Sequence, residues 1–443
     1  MRRYVIVGSG IAGLAAAETV RQHDASAEIT LLAEEPHSFY SRPGLAYMLT
    51  GTVPEKQLFP RSQADLRKLR LNWIRVPAAR LYPEPHQVIL SNSQHLTFDR
   101  LLLATGSTAV TPDFPGGDLA GIVKLDNLDD ARHILKLARR GRTAVVIGGG
   151  ITALEMVEGL NARGMRVHYF LRGDRYWSNV LDETESRIVE GRLKAQGVIV
   201  HYHTQIGQAV GEHGALASVE TTAGEHIPCH VLGVAIGVRP RMELAQLARL
   251  KVERGILVDE SMQTSAPDIF AAGDVAQVYD PRSKRATLDT LWSTAMRQGQ
   301  AAGANMAGVQ TPYVKGFALN VTRLAGLTTT IIGGIGSGRD EDLLTLARGD
   351  SEAWRIPSEA WVVTERHEIN RVRLLVDENT IVGALVMGDQ TLSRPLQDLI
   401  EHRIDISPVR EAIKADPATI GLLLSDLHRQ SGTRHRVPRV PGR

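Results

Sequence analysis

Cysteine is almost absent from this sequence, in which Cys229 is the only one among 443 residues. A single thiol excludes an intramolecular disulfide, a CxxC redox pair and a multi-thiolate metal site built within the chain. The fifteen histidines show no spacing that demands a metal. We therefore predict no metal site, and we expect any redox chemistry to come from a bound cofactor.

An excess of charge of one sign is also lacking, and so are long apolar runs. The net charge of +2 gives no reason to expect nucleic acid or an anionic membrane as the main partner. No apolar run reaches the about 18 residues that suggest a membrane span. The apolar strand at Tyr4–Val7 leaves no room for a signal segment, so we expect a cytoplasmic protein. Glycine is plentiful, with 41 residues, which suits α/β sheets with many tight turns.

A β-branched strand, a glycine-rich turn and an Ala/Leu-rich helix follow one another twice in the chain. The first copy, Tyr4 to Val20, carries the GxGxxG spacing at Gly8, Gly10 and Gly13. Such glycines allow a tight turn, a close approach of the backbone to a pyrophosphate, and close helix packing. Glu34 ends the next strand, where a carboxylate can accept hydrogen bonds from ribose hydroxyls. These features predict a dinucleotide site.

The second copy starts at the strand Ala144–Ile147, and its turn contains Gly148 and Gly150. Its ribose-binding acid is missing, because a leucine stands at that place and is followed by Arg172 and Arg175. The absence of a carboxylate avoids repelling a 2′-phosphate, and arginines can pair with one. The second copy therefore predicts a nicotinamide nucleotide site that favours NADPH over NADH.

Two more short apolar strands end in glycine, at Leu101–Gly106 and Val231–Gly237, and each precedes a proline-containing stretch. We expect the chain to cross between domains there. The predicted division is a discontinuous first domain of residues 1–112 and 239–310, a second domain of 113–238, and a C-terminal domain of 311–443. Alternating segments after residue 311 predict a small antiparallel sheet, and the basic tail from Gly432 to Arg443 is expected to be disordered.

Three motifs stand beside the two glycine loops: Ala104-Thr105-Gly106, the segment Ala235–Pro240 and the segment Thr264–Val275. With them the chain resembles the two-dinucleotide flavoproteins of the pyridine nucleotide-disulfide oxidoreductase-like family. That family includes ferredoxin and rubredoxin reductases, NADH oxidases, apoptosis-inducing factor and the flavin domain of nitrite reductases. The resemblance spans nearly the whole chain and implies an α/β fold. Two Rossmann-like domains of the glutathione-reductase type would bind FAD and NAD(P), and a small α+β C-terminal domain would form an interface.

The resemblance also implies roles for single residues. Asp274 would bind the ribityl chain of FAD, Arg42 would lie beside FAD, and Trp292 would open a helix whose N-terminus faces the flavin. Glu155 matches an acid near flavin and nicotinamide and is the predicted catalytic residue, although a helix-dipole role explains an acid there almost as well. Tyr47 stands where relatives have a lysine that pairs with this acid, so that salt bridge is in doubt.

The predicted cofactor-binding residues belong to the two loops, to the strands that follow them and to the motifs of the resemblance. They are Gly8, Gly10, Ile11, Ala12, Gly13, Glu34, Glu35, Arg42, Ala78, Ala104, Thr105, Gly106, Gly148, Gly150, Ile151, Arg172, Arg175, Gly237, Gly273, Asp274 and Trp292.

The family members that use a redox cysteine have it in the segment that corresponds to Phe39–Gly44, and no cysteine stands there. Electrons are therefore expected to leave the reduced flavin directly. The predicted function is an FAD-dependent NAD(P)H oxidoreductase that serves a protein acceptor, either a ferredoxin- or rubredoxin-like protein or a nitrite reductase partner. A peroxide-forming oxidase, a quinone or dye reductase, and a redox-sensing interaction flavoprotein remain alternatives. A homodimer through residues 311–410 is expected.

Overall fold

The computed structural model describes residues 1–335, 348–355, 361–367 and 370–434, which fall into two compact units. The first unit comprises Met1–Trp177, Glu190–Lys315 and Glu341–Glu352. The second comprises Ser178–Val189, Gly316–Asp340 and Ala353–Arg443. The division into FAD, nucleotide and C-terminal domains stays a prediction.

The strands are β1 (Arg3–Val7), β2 (Glu28–Leu32), β3 (Leu71–Ile74), β4 (Ala78–Tyr82), β5 (Gln87–Leu90), β6 (His95–Thr97), β7 (Arg100–Leu103), β8 (Ser107–Ala109), β9 (Ile122–Val123), β10 (Thr143–Ile147), β11 (Arg166–Phe170), β12 (Ile199–His201), β13 (Ile206–Glu212), β14 (Ala215–Thr221), β15 (His226–Pro228), β16 (Val231–Val234), β17 (Val238–Pro240), β18 (Ile256–Val258), β19 (Ile269–Ala271), β20 (Ala276–Asp280), β21 (Arg285–Thr287), β22 (Leu319–Leu324), β23 (Leu327–Gly333), β24 (Trp361–His367), β25 (Asn370–Asp377) and β26 (Thr380–Met387).

The α-helices are α1 (Ile11–His23), α2 (Gly44–Thr50), α3 (Gln63–Lys68), α4 (Leu128–Leu137), α5 (Ile151–Ala162), α6 (Glu183–Ala195), α7 (Glu243–Leu247), α8 (Trp292–Met306), α9 (Ser393–Glu401), α10 (Ser407–Ala415) and α11 (Ile420–Arg434). Short 3₁₀ helices cover Glu55–Leu58, Glu352–Arg355 and Pro417–Thr419. Among the described residues, no helix is both long and apolar enough to cross a membrane.

The first unit contains two parallel sheets of five strands each. Their orders are β19-β7-β1-β2-β3 and β12-β11-β10-β16-β9. Strands such as Tyr4–Val7 and Ala144–Val146 are buried along almost their whole length. Continuous burial is expected of parallel strands that are covered by helices on both faces. The predicted α/β class with two Rossmann-like sheets is therefore confirmed.

The segments that leave and re-enter the first sheet run side by side. The strands β8 and β17 pair in antiparallel register, with Val238 opposite Ala109 and Pro240 opposite Ser107. These strands follow the two glycine-ended segments at which the sequence predicts that the chain changes domain. The antiparallel pair brings the end of β7 and the end of β16 close to one another.

Helices α1 and α8 pack closely along a seam of small residues, which we define as Ala12, Ala16, Gly299 and Gly303. A Cβ atom at Gly299 would lie within 3.0 Å of the Ala12 carbonyl oxygen, and one at Gly303 would lie within 3.0 Å of the Ala16 carbonyl oxygen. Real Cβ atoms do not approach other atoms so closely. The small-residue seam therefore fixes α8 directly against the helix that follows the first glycine loop.

The second unit is built on an antiparallel sheet of order β22-β23-β26-β25-β24. Isoleucine and leucine side chains of α9, α10 and α11 form an apolar core with β25 and β26. The antiparallel sheet predicted from the alternating segments is confirmed. Helix α11 extends to Arg434, so the prediction of disorder is wrong for 432–434, and 435–443 lie outside the described residues.

Candidate active site

The first glycine loop is held against the end of the neighbouring strand β7. Gly8 has a φ of +116°, and a Cβ there would lie within 3.0 Å of the Ala104 carbonyl oxygen. A Cβ at Gly13 would lie equally close to the Gly8 carbonyl oxygen, whereas a Cβ at Gly10 would meet no atom within 4 Å. Gly8 and Gly13 are thus required by packing, while Gly10 faces open space. The open side is where a phosphate can approach the backbone.

The N-terminus of α1 lies beside this open space. Its N-cap, Gly10, supplies no side-chain hydrogen bond, so the first N–H groups of the helix, which begin at Ile11, are available to an anion. Glycine packing, open space and free donors together fit the pyrophosphate of a dinucleotide.

The ends of β7 and β19 complete the surroundings of the loop. Ala104, Thr105 and Gly106 follow β7, and Gly273 follows β19 with its hypothetical Cβ 3.1 Å from the Ala12 Cβ. The next residue, Asp274, accepts a hydrogen bond of 2.7 Å from the Ser107 hydroxyl. Burial raises the pKa of Asp274, although the Ser107 hydrogen bond opposes the shift. The structure therefore brings these predicted residues together at the carboxyl ends of one parallel sheet.

Glu34, Glu35 and Arg42 are held by ion pairs with other protein groups. Arg42 pairs with Glu35 and donates a 2.6 Å hydrogen bond to the Asp126 carbonyl oxygen. Glu34 pairs with Arg241, and its side chain keeps 63% of its accessible surface. The structure thus places the Glu34 carboxylate, exposed and paired with Arg241, just after β2, and its contact with ribose hydroxyls stays a prediction.

Trp292 is the first residue of α8, and its ring lies 5.8 Å from the ring of Phe39, centroid to centroid. Ile11 and Trp292 pack against the same small apolar cluster, which contains Leu14 and Phe39. The first turns of α1 and α8 are therefore neighbours. Ala78 lies apart from this group, at the start of β4, where it packs against the core of the first sheet.

The second glycine loop repeats the geometry of the first. Gly148 has a φ of +135°, and a Cβ there would lie within 3.0 Å of the Ala235 carbonyl oxygen. Helix α5 begins at Ile151, and its N-cap Gly150 supplies no side-chain hydrogen bond. Gly237, with a φ of +123°, faces a cleft that Gly150 also lines. Gly237, one of the predicted cofactor-binding residues, thus lies beside the second loop.

Glu155 lies on the second turn of α5 and is half-buried. Burial raises the pKa of its carboxyl to about 8, and the neighbouring Glu158 adds to the shift. At neutral pH the group is therefore mainly protonated, so it can donate a hydrogen bond and carries no charge. A perturbed carboxyl beside a nucleotide loop has the properties of a functional group.

The residues that follow β11 include the two predicted arginines. Arg172 is exposed, and the Arg175 guanidinium lies 3.1 Å from the Asp174 carboxylate. The lone thiol has a different character, since Cys229 is buried and burial raises its pKa to about 12. Such a thiol stays protonated and cannot act as a nucleophile near neutral pH.

The structure also shows a charged cluster that the sequence did not reveal. Asp126 is 2% exposed and forms ion pairs with Arg348, Lys124 and Arg241. Burial opposes ionisation of Asp126, but Arg348 and Arg42 hold its pKa below the usual range. These residues come from separate segments without a shared motif, so no local signal could have found the cluster.

The comparisons with known proteins agree with this geometry. Residues 2–299 match the family model described as pyridine nucleotide-disulphide oxidoreductase. The chain is 30% identical over 344 residues to an NADH oxidase of Methanocaldococcus jannaschii, covering 75% of this chain and 76% of that protein. It is 32% identical over 338 residues to the biphenyl dioxygenase system ferredoxin–NAD(+) reductase component of Paraburkholderia xenovorans, covering 74% and 80%.

Among solved structures, the covalent putidaredoxin reductase–putidaredoxin complex contains a chain with the same fold. The TM-score is 0.84 at 21% identity, with 97% of this chain and 99% of that chain covered. Together with the two packed glycine loops, these matches show that the chain belongs to the pyridine nucleotide-disulphide oxidoreductase family and is an FAD-dependent NAD(P)H oxidoreductase.

Proposed function

We propose that this enzyme oxidises NADPH, in preference to NADH, and passes the electrons through FAD to a small redox protein. The observation that carries the proposal is the pair of glycine loops in one unit, each packed on a strand-end carbonyl and each opening onto an uncapped helix. When bound, the nicotinamide donates a hydride to the flavin, and the flavin releases the electrons to an acceptor.

The chain's part in this reaction is to bind, orient and exclude water. The first loop with Glu34, Arg42, Asp274 and Trp292 holds FAD, while Ala78 lies apart at the start of β4 and its predicted contact with FAD has no support from the geometry. The second loop, with Gly148, Gly150 and Ile151, holds the nucleotide pyrophosphate at the start of α5. In this proposal Arg172 pairs with the 2′-phosphate, and its exposure just after β11 supports the preference for NADPH.

Glu155 positions the nicotinamide in this proposal. A protonated carboxyl donates a hydrogen bond without adding negative charge near the hydride donor. The raised pKa of Glu155, about 8, keeps it in that form at neutral pH. The family's lysine partner is replaced by Tyr47, so no ammonium from that position favours ionisation of Glu155.

A small redox protein is the proposed acceptor because the single thiol is buried and protonated. Electrons therefore have no cysteine relay within the chain. The relative from Paraburkholderia xenovorans is named as a ferredoxin–NAD(+) reductase component, which supports a ferredoxin-like protein as the acceptor. We also propose a homodimer, as expected from the C-terminal region.

The decisive experiment is anaerobic stopped-flow reduction of the purified flavoprotein by NADPH and, separately, by NADH. We expect rapid bleaching of the flavin absorbance by both nucleotides, with NADPH binding more tightly. Failure of both nucleotides to reduce the flavin within minutes would exclude the electron-transfer role and favour a redox-sensing protein. Faster reduction by NADH would contradict only the choice of nucleotide.

A second candidate function is a peroxide-forming NAD(P)H oxidase. It is favoured by the 30% identity to the NADH oxidase of Methanocaldococcus jannaschii. Turnover in air without added acceptor separates the two, because an oxidase consumes oxygen and forms peroxide at the rate of flavin reduction. A reductase instead shows slow oxygen consumption that a ferredoxin or rubredoxin accelerates as it becomes reduced.

A further inference from the structure

Residues 348–352, which belong to the first unit, are hydrogen-bonded to the segment that precedes α8. The Gly349 N–H donates to the Thr290 carbonyl oxygen at 3.0 Å, and the Thr290 N–H donates to the Asp350 carbonyl oxygen at 3.1 Å. Next to them the Leu288 N–H donates to the Glu352 carboxylate at 2.9 Å. These bonds attach residues 348–352 to the strand-like segment just before α8.

A buried ion pair strengthens this attachment. Asp289 pairs with Lys315, and their side chains are 4% and 2% exposed. The Ser351 hydroxyl donates to the same carboxylate. Removing either partner of this pair would leave an uncompensated buried charge, and the Ser351 hydrogen bond links residues 348–352 to the Asp289 carboxylate. The backbone of residues 348–352 is therefore fixed in place.

The fixed segment presents Arg348 to the second nucleotide loop. Its guanidinium Nη2 pairs with Asp126, and the side chain lines the cleft formed with Gly150, Thr152 and Gly237. Within the described part of the chain, the buried Nε of Arg348 has no hydrogen-bond partner, and the same holds for the buried Oγ1 of Thr152. Two buried polar groups without partners therefore lie in one cleft.

The groups around this cleft favour an anion. Arg348 Nε can only donate a hydrogen bond, the Thr152 hydroxyl can donate one, and the uncapped start of α5 adds backbone N–H groups. Leaving a buried donor without a partner is unfavourable. A phosphate oxygen would satisfy these donors, and an arginine fork matches phosphate geometry.

We propose that Arg348 binds the pyrophosphate of the nicotinamide nucleotide. The proposal rests on the proposed function and adds a ligand contact from outside residues 2–299, the stretch that the family model matches. Asp126 orients the guanidinium, and the attachment of residues 348–352 to Leu288–Thr290 keeps it at the cleft. A segment of the first unit that follows the stretch matched by the family model thereby takes part in nucleotide binding.

The test measures equilibrium binding of NADP⁺ to the oxidised, FAD-loaded protein by titration of the flavin spectrum. Arg348→Met should raise the Kd about 10- to 100-fold, because a charge-assisted hydrogen bond to phosphate is lost. Arg348→Lys should recover part of the affinity. Arg285→Met, which removes an exposed arginine of β21, is the matched control and should bind as the unchanged protein does. Nicotinamide riboside, which lacks phosphate, should bind equally to all four proteins.

Three results would overturn the proposal. The first is an unchanged Kd for NADP⁺ in Arg348→Met. The second is an equal loss of affinity for nicotinamide riboside, which would show a general disturbance of the site. The third is loss of FAD from both Arg348 variants, which would assign the residue to the flavin. Because the titration requires no hydride transfer, it still tests Arg348 when neither nucleotide reduces the flavin, a result that would contradict the proposed function alone.

Discussion

The two glycine loops of the first unit are built alike but differ at several matched positions, which include the third glycine and a residue on the second turn of the following helix. Gly8 and Gly148 both have positive φ values. At each of them, an added Cβ would clash with a carbonyl oxygen at the end of a neighbouring strand. The third glycine of the first loop, Gly13, is replaced in the second by Ala153. Two residues further on, α1 carries the buried Ala15, whereas α5 carries Glu155.

In the proposed function, these differences separate a site for a resident cofactor from a site for an exchanging substrate. At the first loop, Gly13, Ala15 and the small-residue seam let α1 pack closely against the loop backbone and against α8. The first two turns of α1 carry no titratable side chain. The second loop has Glu155, whose pKa is raised to about 8, and the exposed Arg172. Tight apolar packing suits permanent binding, whereas titratable and charged groups suit recognition during turnover.

The largest effect should come from Gly8→Ala. The added Cβ would clash with the Ala104 carbonyl oxygen and would hold a φ of +116° that L-residues rarely adopt. We expect the flavin content of the purified protein to fall below about a tenth, as a loss of several kcal/mol of binding energy implies. The ratio of flavin to protein absorbance measures it. Gly191→Ala in α6 has open space and should keep full flavin content.

Gly148→Ala should have a large effect of a different kind. The clash now involves the Ala235 carbonyl oxygen, so the flavin should stay bound while the affinity for NADPH falls by about 10- to 1000-fold. Stopped-flow reduction at increasing NADPH concentration gives this affinity. Loss of flavin from Gly148→Ala would show that the two loops do not bind separate ligands and would contradict the difference proposed between them.

Arg172→Glu tests the charge difference between the loops. A carboxylate at the end of β11 would repel a 2′-phosphate and could accept hydrogen bonds from ribose hydroxyls. We expect the ratio of kcat/KM for NADPH to that for NADH to fall by about 10- to 100-fold. Arg239→Glu, in β17, serves as a control for the same change of charge. An unchanged ratio in Arg172→Glu would contradict the role of Arg172.

The smallest effect should come from Glu155→Gln, which removes from α5 the titratable group that α1 lacks at the matched position. In the unchanged protein, Glu155 loses its proton as the pH rises through about 8, and the limiting rate of flavin reduction should fall. The variant should lack this pH-dependent fall, so the limiting rates of the two proteins should differ by about threefold to tenfold at high pH. The measurement is the rate of flavin reduction by NADPH between pH 6 and 10 in both proteins. A fall in rate near pH 8 that persists in Glu155→Gln would assign the titration to another group.

The same pKa shift predicts a pH dependence of stability. A carboxyl whose folded-state pKa lies near 8, above the ordinary 4.5, binds more protons in the folded than in the unfolded protein between these values. The free energy of unfolding therefore falls as the pH rises from about 4.5 to about 8. Chemical denaturation across this window should show a smaller decrease for Glu155→Gln.

Local patterns made both loops predictable. A strand, a glycine turn and a helix are adjacent in sequence, so Gly8 and Gly148 could be placed without tertiary information, and the sheet at β25 and β26 followed from alternation. The specific motif around Asp274 was assigned by resemblance, and the structure places this residue at the end of β19 beside Ser107.

Contacts between distant segments could not be predicted. Asp126 forms ion pairs with Lys124, Arg241 and Arg348. The sequence next to each of the two arginines contains no pattern that indicates this common partner. The sequence assigned 311–443 to one C-terminal domain, yet Arg348 contacts Asp126 in the first unit. Long-range ion pairs depend on the chain path between elements, which periodicity does not encode.

The small-residue seam imposes an order on biosynthesis. Helix α1 leaves the ribosome long before Gly299 and Gly303 are made, and β19 must also join the sheet that carries the first loop. The surroundings of the first glycine loop are therefore incomplete until most of the chain has been translated, and their assembly depends on contacts of high sequence separation, which form slowly. On the proposed assignment of FAD to this loop, the cofactor binds only after most of the chain has been made.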